Sequence, residues 1–235
     1  MTANLLFLGT IQLLLVLFLA TLHEAVHARV AEFFGDPTPR TLGRVSVNPL
    51  AHLDLFGTVI LPAALVALSV PIAFGWSRPV PIVARNLRRP GWHSLLVSAS
   101  GPAANAAFAI LAMIAVGIVV HILGPEAQQA ARMSLFGGAL ADPGSPAFAL
   151  RGFPVVFTLV QASVISAFLT LFHLLPIPPL DGGMILLQLA PPSWAPRLAS
   201  LRPFGYLLCS AFAVTPIFQI TLIPFLAVLN LVISL

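Results

Sequence analysis

The chain has no lysine, one cysteine, one tyrosine and few charges of either sign. Charged residues fill 8% of its 235 positions, against about 25% in a soluble globular domain. With 59% hydrophobic residues and a mean hydropathy of +1.02, it belongs in a bilayer. Its eleven basic residues are all arginine, against seven acids. They lack the interleaved aromatic and polar residues of a nucleic-acid surface, which excludes a nucleic-acid partner. The lone thiol, Cys209, forms neither an internal disulfide nor a cysteine-based zinc site, and its apolar neighbours mark it as a buried small residue.

What is present is a series of apolar runs. The first, Leu5–Leu22, continues in helical pattern through Ala31 and is stopped by Gly35, Asp36, Pro37 and Pro39. It has no basic leader and no cleavage site, so it reads as a retained transmembrane helix, not a signal peptide. Leu55–Phe74, Ser94–Leu123 and Phe153–Leu175 follow, with Gly124–Gly152 as a loop. Residues 204–235 are apolar but interrupted by Pro216 and Pro224, which allows one broken helix or a tight hairpin. The expected fold is all-α and polytopic, with roughly four to six transmembrane or re-entrant helices. It forms one membrane domain over residues 1–235, with a core over about 5–190. Short β-hairpin elements are expected beside the active site, because Thr41–Val47 alternates in strand fashion and the prolines of Arg78–Val83 disfavour helix.

Arginine placement orients the chain, since cytoplasmic loops near spans are enriched in basic residues. If Leu55–Phe74 dips in and returns on the same side, Arg40, Arg44, Arg78, Arg85, Arg88, Arg89, Arg197 and Arg202 are cytoplasmic. Only Arg132 and Arg151 then lie outside. The expected location is a bacterial inner or plasma membrane with the active site toward the cytoplasm. His93 and His121 read as interface residues, and Trp76 and Trp92 as part of the aromatic belt.

The chemistry starts at His23-Glu24-Ala25-Val26-His27. Residues i and i+4 share a helix face, so both imidazoles reach one metal, and Glu24 approaches a water on it as general base. Ionisable groups within a membrane helix are costly and mark function. Catalytic zinc takes three protein ligands and keeps one position open. The third candidate is Asp181, held by the Pro176-Ile177-Pro178-Pro179 turn and followed by Gly182-Gly183, which allow close backbone approach. A competing role for Asp181 is the N-cap of the following helix.

His23-Glu24-Ala25-Val26-His27, then Gly101-Pro102-Ala103-Ala104-Asn105, then Pro176 to Gly183 resemble the site-2 protease family of intramembrane zinc metalloproteases. The stretches 48–62 and 75–82 resemble its minimal bacterial branch, without PDZ or CBS domains. The resemblance covers about Leu5 to Gln188. It implies a three-helix core, Zn²⁺ held by His23, His27 and Asp181, and water activated by Glu24. It further implies that Asn105 orients a zinc ligand or binds the substrate carbonyl. The family's usual asparagine eight residues before the aspartate is His173 here, which leaves the metal set intact and alters the contacts to substrate or oxyanion. His52 and Asp54 are weaker candidates for supporting the ligands.

The expected function is a zinc-dependent endopeptidase cleaving transmembrane segments of membrane proteins. The substrate would unwind and pair as an extended strand, with Arg40–Val47 and Arg78–Val83 as candidate edges. The alternative from another class is a membrane metal-ion transporter or metal-binding protein. That alternative predicts ligands lining a path across the bilayer, whereas these cluster near one face.

Overall fold

The computed structural model describes residues 3–68, 70, 72–135, 146–150, 152–191 and 193–235. Arg151, which enters the topology argument above, lies outside them. Helix α1 spans Ala3–Phe33. Two one-turn helices follow, α2 (Thr38–Thr41) and α3 (Pro49–His52). A π-helical turn, Leu55–Ile60, runs straight into α4 (Leu61–Ala67). Then come α5 (Pro90–Leu123), α6 (Pro125–Leu135), α7 (Phe153–His173) and α8 (Asp181–Leu189). The chain ends in α9 (Ala195–Ala199), α10 (Arg202–Ala213), α11 (Pro216–Ile220) and α12 (Ile223–Ser234).

Among the described residues, three helices are long and apolar enough to cross a membrane: Leu6–Phe33 of α1, α5 and α7. The apolar helix Leu55–Ala67 has room for only about 20 Å at 1.5 Å per residue, short of the roughly 30 Å of hydrocarbon. Its length suits a segment that enters and returns. The terminal apolar region breaks into α10, α11 and α12, because Pro216 and Pro224 each open a new helix where they cannot continue one.

Helix α7 is the central helix, with most of its residues buried. In lipid, close packing and interhelical hydrogen bonds replace the hydrophobic effect as the glue between helices. One face of α7 supplies both. Ser163 Oγ donates to Ala109 O at 3.0 Å and Ser166 Oγ to Asn105 O at 2.8 Å. Across to α1, Gln12 Nε2 donates to Gln161 Oε1 at 2.9 Å, and Gln161 Nε2 to Ser134 O of α6 at 3.1 Å. Two apolar clusters flank these bonds. One gathers Val16, Leu19, Phe74, Phe168, Phe172 and Phe218, and the other Leu8, Val120, Phe153, Phe157 and Ile233.

Three expectations change. No β-strand occurs among the described residues, so the expected hairpins are absent there. Residues 38–41 are helical because Pro39, in the first turn, is preset for helix. Residues 78–83 are extended, but Pro79 and Pro81 have no amide to enter a ladder. Part of the expected Gly124–Gly152 loop is α6, which starts on Pro125 and buries Ala127, Ala130, Ala131 and Ser134 at helical spacing. Trp76 is buried and stacked on Tyr206 at 4.7 Å, not set in an interfacial belt, whereas Trp92 is exposed.

Helix α1 ends at a buried carboxylate. Asp36 Oδ1 accepts from Thr38 N (3.1 Å), Thr38 Oγ1 (2.6 Å) and Asn86 Nδ2 (2.9 Å), and Oδ2 accepts from Val83 N at 2.7 Å. Burial alone would raise its pKa, but the bonds from Thr38, Asn86 and Val83 outweigh it and hold it below the ordinary value. A depressed carboxylate contributes stability above its unfolded pKa and loses it as pH falls through the folded value. The stability advantage of the parent over Asp36→Asn in detergent is therefore full at neutral pH and shrinks below the ordinary value of 3.8. Thermal unfolding of both proteins across pH checks this; an advantage that grows on acidification would contradict it.

Candidate metal and catalytic site

His23 and His27 lie one turn apart on α1, and Asp181 meets them as the first residue of α8. His23 Nε2 lies 2.9 Å from Asp181 Oδ2, His27 Nε2 3.1 Å from Asp181 Oδ1, and the two Nε2 atoms 3.0 Å apart. One ligand atom from each lies within 4.8 Å of the others. Two ligands about 2.1 Å from a tetrahedral zinc stand roughly 3.4 Å apart, so the cluster has close to the spacing one ion needs. The carboxylate does not cap its own helix. It is turned inward to the imidazoles, which sets aside the competing N-cap role.

The ring nitrogens facing away from the cluster are also held. His27 Nδ1 donates to Val97 O at 2.7 Å, which fixes the tautomer and leaves Nε2 with its lone pair toward Asp181. His23 Nδ1 lies 3.3 Å from Asn105 Nδ2, while Asn105 Oδ1 is buried and unpartnered. Turning the amide over places Oδ1 on a protonated His23 Nδ1, satisfies the orphaned oxygen and frees Nε2 as a ligand. The donor set and the orphaned oxygen thus both fit a bound metal ion. Asn105 meets the ligand His23 directly, which favours the orienting role over substrate contact.

Gly101 makes room for the pair. A Cβ there would stand 2.6 Å from His23 Nε2 and collide with His27 Nε2 as well. Gly182 and Gly183 serve the other side, where a Cβ would meet the Leu174–Leu175 and Ile177–Pro178 backbone. These contacts bring α8 against the end of α7. His173, the last residue of α7, places Nδ1 3.0 Å from Asp181 Oδ2, with its ring centroid 4.0 Å from that of His23. The substituted histidine is thus a partner of the third ligand.

Glu24 is buried, and its Oε2 accepts the Val80 N–H at 2.8 Å. With His27, His173 and Asp181 it lines a cavity of about 340 Å³. Pro79, Val80, Ile82 and Ala84 form part of the wall, Ser94, Val97 and Ser98 of α5 another part, and Arg202 and Tyr206 come from α10. His52 and Asp54 turn elsewhere: His52 Nε2 pairs with Ser46 O at 2.9 Å, and Asp54 Oδ1 accepts from Gly57 N at 2.7 Å. Their bonds are local to their own segment, where Asp54 caps the π-helical turn. Sequence reasoning did not single out Val97, Val80 or Tyr206. The first two act through main-chain atoms, which leave no trace in residue type.

Residues 11–198 match the family model described as Peptidase family M50. The chain is 33% identical over 207 residues to YwhC of Bacillus subtilis (strain 168), whose name describes a zinc metalloprotease, covering 88% of this chain and 81% of that one. It is 28% identical over 199 residues to Rip2 of Mycolicibacterium smegmatis, named in the same terms, covering 83% of this chain and 63% of that one. No solved structure matches significantly.

Replacing Gly101 by alanine improves helix propensity yet drives a methyl group into both imidazoles. The expected result is a helical protein whose zinc content falls well below one ion per chain. Circular dichroism with metal analysis of purified Gly101→Ala checks it, and full occupancy would show that the imidazoles do not depend on that gap.

Proposed function

The chain belongs to peptidase family M50, the site-2 proteases, and is a zinc metalloprotease; we propose that it cleaves transmembrane segments of membrane proteins at the His23–His27–Asp181 centre. The observation that carries this reading is the convergence of two imidazoles and one carboxylate inside a bundle of apolar helices, with Glu24 on the adjoining cavity. His23, His27 and Asp181 would hold Zn²⁺, which would supply Lewis acidity toward the peptide carbonyl and make a water acidic near neutral pH.

The protein's own residues do the rest. Glu24 takes the proton from the attacking water and passes it to the leaving nitrogen. The Val80 N–H on one oxygen of Glu24 leaves the other to face the water. Asn105 orients His23. His173 donates Nδ1–H to the Asp181 carboxylate, which leaves Nε2 of the neutral ring as an acceptor for a substrate N–H. A helical substrate hides its amides in its own hydrogen bonds, so it must unwind to be cut. The extended wall at 79–83 suits an unwound chain laid beside it, with wall carbonyls accepting substrate N–H groups.

The protein would lie in a bacterial plasma membrane with the centre toward the cytoplasm, where Arg78, Arg85, Arg88 and Arg89 sit. Thiol labelling of Arg85→Cys in intact cells and in inverted vesicles tests this. Labelling from the cytoplasmic side alone is expected, and labelling only from outside would reverse the orientation.

The role of Glu24 is tested by Glu24→Gln, which keeps the shape and removes the base. Zinc should remain at one ion per chain, while cleavage of a membrane substrate in proteoliposomes drops about 10² to 10⁴-fold. A glutamine variant that keeps both its zinc and full proteolysis would end the general-base assignment. Loss of zinc in that variant would make Glu24 a ligand, as the transporter alternative requires.

A further inference from the structure

Pro79 and Pro81 carry no amide hydrogen, so Val80 has the one main-chain donor in Pro79-Val80-Pro81. That donor goes to Glu24 Oε2 at 2.8 Å. Three residues on, the Val83 N–H goes to Asp36 Oδ2 at 2.7 Å. The same stretch is tied at one end to α1, by Ser77 Oγ to Ala20 O at 3.2 Å, and at the other to the residue just after it, by Arg88 N to Phe34 O at 3.0 Å. Residues 77–88 therefore lie along the C-terminal part of α1, with the two carboxylates as the inner fastenings. The stretch between those fastenings forms a wall of the cavity.

Asp36 has no exposed surface, and the donors to its two oxygens are neutral. Burying a carboxylate is costly unless every lone pair is used. A cap for the turn after α1 needs only the two Thr38 donors. The second oxygen is committed to Val83, and Asn86 adds a bond from the far side of the wall segment. The arrangement does more than stop a helix.

We propose that Asp36 is a positioning residue for the reaction. Through Val83 and Asn86 it holds the 79–84 wall in register, so that the Val80 N–H keeps the Glu24 carboxylate oriented. This rests on the reading of Glu24 as the base. Asp36 touches neither the ligands nor the cavity and acts only through the segment it holds.

Asp36→Asn separates the two jobs of the carboxylate. It keeps one acceptor oxygen for Thr38 and Asn86 and turns an NH₂ toward the Val83 N–H, breaking that fastening. Thr38→Val removes a donor from the turn and leaves Val83 untouched. Both are purified with zinc and assayed in proteoliposomes on a membrane substrate. Wall mobility is read separately, as the labelling rate of a thiol introduced by Ile82→Cys; the native Cys209 is buried and gives little background. In Asp36→Asn, zinc stays at parent level, labelling at position 82 accelerates, and kcat falls about 10- to 100-fold with a smaller change in KM, as expected when part of a general-base contribution of roughly 10² to 10⁴ is lost. Thr38→Val stays close to the parent in all three. Unchanged labelling in Asp36→Asn, or faster labelling with unchanged kcat, would overturn the proposal. Equal kinetic losses in Asp36→Asn and Thr38→Val would also overturn it, reducing Asp36 to a turn cap. Parent cleavage that Glu24→Gln leaves intact would sink the underlying role of Glu24, while the labelling result would still report on the fastening.

Discussion

A cluster of two imidazoles and two carboxylates buried among apolar helices is costly unless the protein supplies most of its polar partners. His23, Glu24, His27 and Asp181 meet that demand only because α1, α5 and the α7–α8 junction approach closely enough to supply partners. Val97 and Asn105 reach in from α5, His173 from the end of α7, and Val80 from the extended wall. The small residues follow from the same demand. Gly101 yields its side-chain space to the histidines, and Gly182 and Gly183 let the α8 backbone lie against the turn that aims Asp181.

The bundle around the site is built so that this convergence is rigid. Hydroxyls on one face of α7 bond α5 carbonyls, and a glutamine pair joins α1 to α7 away from the metal centre. Such bonds contribute modestly one by one in lipid, yet they set helix register where apolar side chains find little to distinguish partner from solvent. The short Leu55–Ala67 helix and residues 77–88, extended as far as Val83, draw backbone partners from the protein, with Trp76 N bonded to Gly57 O, Arg78 N to His52 O and Arg88 N to Phe34 O. Trp76, buried between Gly57 and Tyr206, joins this region to α10.

Much of the candidate site is legible along the chain because its residues are close in sequence or held by stiff local geometry. His23 and His27 share a helix face by periodicity alone, and prolines and glycines around Asp181 announce a constrained turn. The departures have local physical causes. Pro39 makes residues 38–41 helical, missing amides keep 78–83 out of a ladder, and a face of alanines turns part of an expected loop into α6. His52 and Asp54 drew notice as ligand-type residues near an active segment, but each finds nearer backbone partners.

From the sequence alone one reads a membrane protein of several apolar helices, a metal-binding helix face with a base beside it, and a distant aspartate as a candidate third ligand with a helix N-cap as its competing role. Those conclusions rest on composition, period and chain stiffness, which are properties of neighbours along the chain. Tertiary structure alone decided that His173 serves Asp181, that Asn105 serves His23, and that Asp36 and Glu24 fasten the same extended segment. His173 and Asp181 are eight residues apart and meet across the Pro176–Pro179 turn, while the other pairings join residues far apart in sequence, several through main-chain groups that every residue but proline carries alike. Only the packing of the helices selects which of those identical groups meets which side chain.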